Sequence, residues 1–149
     1  MLAFLSEHTS DQSQKLWSRK NNLNFEVFYS KMDESLKTLL NIVLPEQLSK
    51  YFELTKISKD DKKGMMDLYL QEVNETPLEY ANSKLSSKGF YDEVTIQDFP
   101  IRGYIVFLHV KRRRWLNEDT GQVVHRNWEV LAEGTRITKD FAAFLKEMR

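Results

Sequence analysis

The residues with the strongest chemical character are the cations of the segment KRRRWLNEDTGQVVHRNW, which covers residues 111–128. Between residues 102 and 126, six Lys and Arg residues stand against two acids, so the local charge is 6 − 2 = +4. Clustered cations can neutralise nucleic-acid phosphates and release their counterions, and arginine can also bind the edge of guanine. The whole chain has 22 basic and 22 acidic residues, so any attraction to a polyanion must be local.

The same segment also has a structural interpretation. A basic strand end can keep a sheet edge from pairing with another chain, and the two tryptophans of the segment can belong to the core. In an extended strand, Arg112 and Arg114 would point to one face, and Lys111 and Arg113 to the other. At most one of these pairs can therefore line a single groove.

The sequence gives little support for a catalytic, metal-binding or nucleotide-binding site. The chain has no cysteine, which excludes disulfides, thiol nucleophiles and cysteine-based zinc sites. His8, His109 and His125 lack metal-ligand spacing, so packed or partner-bonded histidines are favoured. No GxSxG, GxxxxGK[ST] or GxGxxG motif occurs. Glu93 and Asp98 could be imagined as an acid and base pair, but a polar strand face explains them better. We expect no catalytic activity, no metal and no cofactor.

The sequence of the first third of the chain predicts an N-terminal extension followed by two helices. Residues 1–31 show neither a helical nor a strand period, which predicts a poorly ordered extension, with 32–149 as a single domain and Met32 as a possible start site. From Met32 onward, two acids followed by apolar residues at helical spacing predict a helix of about two to three turns. Its apolar stripe consists of Leu36, Leu39, Leu40 and Val43. Pro45 can begin a second short helix.

The rest of the chain predicts mainly strands. Residues 52–57 and 65–73 flank the loop SKDDKKG and predict a β-hairpin. Residues 74–89 are interpreted as a connector, and RGYIVFLHV (102–110), apolar on both faces, is typical of a central strand. Residues 103–116 and 122–131 are predicted to form a second hairpin around EDTG.

A helix is predicted at the C-terminal end. Thr138 can cap it, and its apolar residues share one face. These are Phe141, Phe144, Leu145 and Met148. The predicted fold class is α+β, with two β-hairpins forming a small antiparallel sheet beside an N-terminal and a C-terminal helix. No stretch approaches the roughly 20 apolar residues that span a membrane, and the first residues lack a signal-peptide pattern. We therefore expect a cytoplasmic protein without a membrane partner.

Three segments resemble a known family when they are taken together: IQDFPIRG (96–103), KRRRW (111–115) and GTRITKDFAAFLKE (134–147). They resemble the N-terminal region of bacterial insertion-sequence transposases of the Aon type, without the catalytic DDE domain, over about residues 40–149. The resemblance implies a DNA-binding accessory part that helps to recognise terminal inverted repeats. A related transposase group has a four-cysteine zinc ribbon at the basic segment. In this cysteine-free chain, apolar burial would have to replace the metal, through Trp115, Leu116, Trp128 and Val130.

The leading hypothesis is a module that binds double-stranded DNA at the element ends, with no cleavage activity of its own. Phosphate contacts and the amides at the start of the last helix would hold the DNA. The predicted contact residues are Arg102, Lys111, Arg112, Arg113, Arg114, Arg126, Arg136 and Lys139. The alternative is a protein-interaction module that docks a separately encoded catalytic transposase subunit or self-associates. Its surface would be the apolar faces of the helix at 33–43 and of the C-terminal helix.

Overall fold

The computed structural model describes residues 34–131 and 133–149. The chain divides into two units, Met1–Ile42 and Val43–Arg149. Helix α1 covers residues 34–43, in agreement with the helix of two to three turns predicted there, and the Leu36 and Leu39 side chains are exposed. The predictions of a poorly ordered segment 1–31 and of a start at Met32 lie outside the described residues.

The second unit combines short helices with two sheets, which confirms the predicted α+β class. Its elements in chain order are α2 (Glu46–Tyr51), β1 (Phe52–Asp60), β2 (Met65–Glu72), a 3₁₀ helix (Leu78–Tyr80), β3 (Leu85–Phe90), β4 (Val94–Ile101), β5 (Tyr104–Lys111), β6 (Arg113–Asn117), β7 (Val123–Val124) and α3 (Lys139–Glu147). Within the described residues, no helix is long and apolar enough to cross a membrane.

The larger sheet has the strand order β1-β2-β5-β4. The antiparallel β1–β2 pair confirms the first predicted hairpin, and β5 lies between β2 and β4 as the predicted central strand. The sheet is mixed rather than purely antiparallel, because β2 and β5 pair in parallel. Each of these strands is the second strand of its own hairpin. Since the two hairpins lie side by side with their turns at the same end of the sheet, their inner strands run in the same direction.

The smaller sheet has the order β3-β6-β7 and differs from two predictions. The predicted connector 74–89 was wrong in part, because Leu85–Phe90 forms β3. This strand is polar and is held by backbone pairing with β6, so it shows no apolar alternation. The predicted hairpin of 103–116 with 122–131 was also wrong in part: the first segment is divided between β5 and β6, which lie in different sheets, and of the second only Val123–Val124 pairs with β6. Beyond it the chain leaves the sheet, and the Arg126 side chain enters the protein interior.

Alternating side chains on the larger sheet form the core, together with residues from α2 and from the segment before α3. Burying a side chain of this size contributes about 1.5–3 kcal/mol relative to exposure. Among the most completely buried apolar residues of the unit are Leu48, Leu70, Ile96, Val106, Leu108 and Val110. Trp115 and Val130 are also buried, so two of the four residues proposed to replace a zinc site do belong to the core.

The C-terminal helix begins as predicted. The Thr138 hydroxyl accepts a hydrogen bond from Phe141 N at 3.4 Å, which satisfies one of the free amides of the first turn. Phe141 is buried, whereas Phe144 and Met148 are 44% and 70% exposed. The predicted apolar face of α3 is therefore only partly covered by the rest of the unit.

Candidate nucleic-acid interface

The arginines of the basic segment lie against aromatic rings of the protein itself. The distances from guanidinium carbon to ring centre are 4.9 Å for Arg112 and Trp128, 4.5 Å for Arg113 and Phe90, 5.6 Å for Arg114 and Tyr91, and 3.9 Å for Arg126 and Tyr51. All four are within the range of a cation–π interaction. These arginines and rings therefore pack on each other, as the structural interpretation of the segment anticipates.

The same arginines also donate hydrogen bonds to the protein. The bonds are Arg112 Nη2 to Arg126 O (2.8 Å), Arg113 Nη1 to Ser87 Oγ (2.8 Å), Arg114 Nη2 to Lys88 O (3.2 Å) and Arg126 Nη2 to Glu75 O (2.9 Å). Burial lowers the pKa of Arg112 from its ordinary value. Among the buried side-chain nitrogens and oxygens of the described residues, only Arg114 Nε lacks a partner. A phosphate contact by these side chains would compete with bonds that hold the fold together.

Glu72 is the centre of this arrangement. Its side chain is 1% exposed and forms an ion pair with Arg126, whose side chain is 8% exposed. Glu72 Oε1 accepts from Arg126 Nε at 2.9 Å, and Oε2 accepts from Arg113 N at 2.8 Å. A buried carboxylate and a buried guanidinium each require such partners, because an unpaired buried charge is strongly destabilising. The pair connects the end of β2 to the segment after β7.

The other four predicted contact residues are exposed. Lys139 forms a surface ion pair with Glu129 at 3.2 Å. Arg102, Lys111 and Arg136 have no hydrogen-bond or ion-pair partner for their side chains within the part of the chain that the structure describes. Arg102 and Lys111 are not brought together, since Arg102 precedes β5 and Lys111 ends it. The length of β5 separates them by about 23 Å at 3.3 Å per residue.

Arg102 has cationic neighbours that the sequence analysis did not identify. The β1–β2 turn lies beside the β4–β5 turn, because Ile105 N donates to Gly64 O at 2.8 Å. The side chains of Lys62 and Lys63 are exposed on this neighbouring turn. We call Lys62, Lys63 and Arg102 the turn patch. The sequence indicated the SKDDKKG turn, but not the parallel pairing of β2 with β5 that places the two turns together.

The acids of the β1–β2 turn are bonded to the turn itself. Asp60 Oδ1 accepts from Lys62 N and Lys63 N, both at 3.0 Å, and Asp60 Oδ2 lies 3.8 Å from Lys63 Nζ. Asp61 accepts from Lys59 Nζ at 2.8 Å and from the Tyr104 hydroxyl at 2.5 Å.

The side-chain bonds of Asp61 favour its ionised form. The hydrogen bond from Lys59 lowers the pKa of Asp61, with a further contribution from Tyr104. The network fixes the turn and occupies Asp60 and Asp61 with other partners. Because neither acid forms an ion pair with Lys62 or Arg102, these two side chains present unpaired charge to solvent.

His109 is bonded between two carboxylates, as expected for a partner-bonded histidine. Its Nε2 lies 2.7 Å from Asp67 Oδ1, and its Nδ1 lies 3.1 Å from Glu93 Oε1. The ring stacks on Tyr69 with centres 4.5 Å apart. Because the two ring nitrogens point in different directions, these carboxylates do not converge on one ion. Within residues 34–131 and 133–149, no group of three or more His, Asp or Glu residues is arranged to hold a metal.

Glu93 and Asp98 do not form the acid and base pair that was considered from the sequence. Glu93 is bonded to His109, whereas Asp98 is buried and accepts from Thr138 Oγ1 at 2.7 Å. Burial raises the pKa of Asp98, and the hydrogen bond from Thr138 opposes this effect. The two carboxylates therefore have separate partners and separate structural roles.

Comparison with protein-family models, with curated proteins and with solved structures finds no match to this chain. The resemblance to Aon-type transposases stays a prediction, and the interface has to be interpreted from its own geometry.

Proposed function

We propose that this chain is a DNA-binding accessory module of an insertion-sequence transposase, and that it contacts double-stranded DNA at the element ends through the turn patch. The observation that carries the proposal is the exposure of Lys62, Lys63 and Arg102 on two adjacent turns. The acids Asp60 and Asp61 of the β1–β2 turn are bonded to neighbouring groups. The transposase context comes from the resemblance of the segments at 96–103, 111–115 and 134–147. The arginines that pack on aromatic rings serve the fold in this proposal.

The turn patch predicts a modest, salt-sensitive affinity. Each phosphate that a cation neutralises adds about −0.9 to the slope of log affinity against log salt concentration. Phosphate contacts by Lys62 and Lys63 would therefore give a slope of about −1.8 on duplex DNA, and a third phosphate contact by Arg102 would bring it to about −2.7. Binding of this kind is mainly positional, because phosphate contacts fix the orientation of a protein on the duplex without reading its sequence.

Fluorescence anisotropy across a salt series tests the proposal. The purified chain is titrated into a labelled duplex carrying the terminal repeat and into a scrambled duplex. We expect saturable binding that weakens with salt, and a large loss of affinity in the variant Lys62→Ala/Lys63→Ala/Arg102→Asn. The control Lys111→Ala/Arg136→Ala removes two exposed cations elsewhere and should retain most of the affinity. The absence of binding to either duplex at low salt would refute the proposal.

A second candidate function, docking of a separately encoded catalytic subunit, is favoured by one observation. Phe99 of β4 and Phe144 of α3 contact each other with ring centres 5.4 Å apart, and both remain at least 36% exposed. Exposed apolar patches of this kind often bind other proteins. The variant Phe144→Ser separates the two functions: it should weaken association with a catalytic subunit in a pull-down and leave the DNA anisotropy curve unchanged.

A further inference from the structure

The β4–β5 turn has an unusual residue at its tip. Arg102 and Gly103 connect Ile101 to its strand partner Tyr104, and their φ angles are 52° and 83°. Positive φ at both central positions is typical of a type I′ turn, where Asn-Gly, Asp-Gly and Gly-Gly are preferred. Among the described residues, Arg102 is the only non-glycine residue with positive φ. The turn therefore holds an arginine in a backbone conformation that its side chain disfavours.

No contact among the described residues accounts for arginine at this position. The side chain is exposed and has no bonding partner within the described residues, unlike the arginines that pack on aromatic rings. Asparagine or glycine would form the same turn with less strain. A strained residue whose side chain serves no packing purpose is a feature that commonly marks a functional site.

We propose that Arg102 is the base-reading residue of the module, and that its guanidinium enters the major groove and donates two hydrogen bonds to O6 and N7 of a guanine. This inference rests on the proposed DNA-binding function and names the specific contact within it. Arginine paired with the O6 and N7 atoms of guanine is the commonest specific contact in DNA recognition, and the major groove admits a two-stranded ribbon such as β4–β5.

The position of the neighbouring turn fits this geometry. The centres of the two hairpins lie two strand spacings apart, which is about 10 Å. The major groove is about 12 Å wide. When the tip of the β4–β5 ribbon lies inside the groove, the adjacent β1–β2 turn therefore lies near the phosphates at the edge of the groove. Lys62 and Lys63 would then neutralise phosphates while Arg102 reads the base. The turn patch thereby divides into two positioning residues and one specificity residue.

The test compares two duplexes of the same sequence and length, one with guanine and one with 7-deazaguanine, which lacks the N7 acceptor but keeps base pairing and backbone charge. We expect the wild type to bind the guanine duplex more tightly by a factor on the order of ten. Arg102→Asn should bind both duplexes equally, and its melting temperature should be at least that of the wild type. In the control Lys62→Ala, affinity for both duplexes should fall by the same factor, with the salt slope reduced by about 0.9.

Each contrary result overturns the inference in a recognisable way. Equal binding of the two duplexes by the wild type would refute base reading by Arg102 while leaving DNA binding intact. Failure of Arg102→Asn to fold would refute the claim that arginine is disfavoured in this turn. The absence of any wild-type binding would refute both the inference and the proposed function.

Discussion

The substitution Glu72→Ala is expected to be among the most damaging in the chain, because it removes the carboxylate on which the basic segment is assembled. The wild-type side chain is 1% exposed and accepts hydrogen bonds from Arg126 Nε and Arg113 N. Without it, the buried Arg126 guanidinium loses its ion-pair partner. Breaking a buried ion pair in this way costs about 3–5 kcal/mol. The unpaired Arg113 amide adds about 1–3 kcal/mol.

These costs are large compared with the stability of an ordinary domain, which is about 5–15 kcal/mol. Urea unfolding followed by tryptophan fluorescence measures the difference between variant and wild type. Glu118→Ala is the matched control, because Glu118 pairs with Lys84 at 2.9 Å on the surface and an exposed pair contributes about 1 kcal/mol or less. A Glu72→Ala variant within about 1 kcal/mol of wild type would refute the structural role assigned to the basic segment.

Two further predictions concern the core. Burial raises the pKa of Asp98, and a carboxyl with a raised pKa in the folded state contributes stability in acid that is lost as the pH rises through that pKa. The unfolding free energy of the wild type should therefore fall relative to that of Asp98→Asn as the pH rises from about 4; parallel pH curves would contradict this. Trp115→Ala should cost about 3–5 kcal/mol in urea unfolding, because the indole is 2% exposed and donates to Asn74 Oδ1 at 3.3 Å. A cost below about 1 kcal/mol would show that burial of Trp115 does not hold the smaller sheet.

Local signals in the sequence predicted the elements that depend on local chemistry. Pro45 is the N-cap residue of α2, Thr138 caps α3, and the segment at 102–110, apolar on both faces, contains most of the central strand β5. Each of these follows from residue type and spacing within a few positions. Strand β3 could not be found in the same way, because its polar residues are held by pairing with a strand that lies more than 20 residues further along the chain.

The candidate site depended on tertiary contacts that the sequence does not reveal. Alternation along a strand indicated which way each arginine would point, but the acceptor for Arg126 is Glu72, 54 positions away. The pattern of cations suggested a DNA-binding hairpin but not the aromatic rings on which four of its arginines pack in the structure. Similarly, Lys62 joins Arg102 only because β2 and β5 pair in parallel.

The most direct test of the central claim is a ¹H–¹⁵N NMR titration of the chain with a short DNA duplex at low salt. If the turn patch contacts DNA, the amide shifts of residues 61–64 and 101–104 should change first and most. Amides of the packed arginines, such as Arg113 and Arg114, should change little. Shift changes confined to residues 111–126, or none at saturating DNA, would contradict the account.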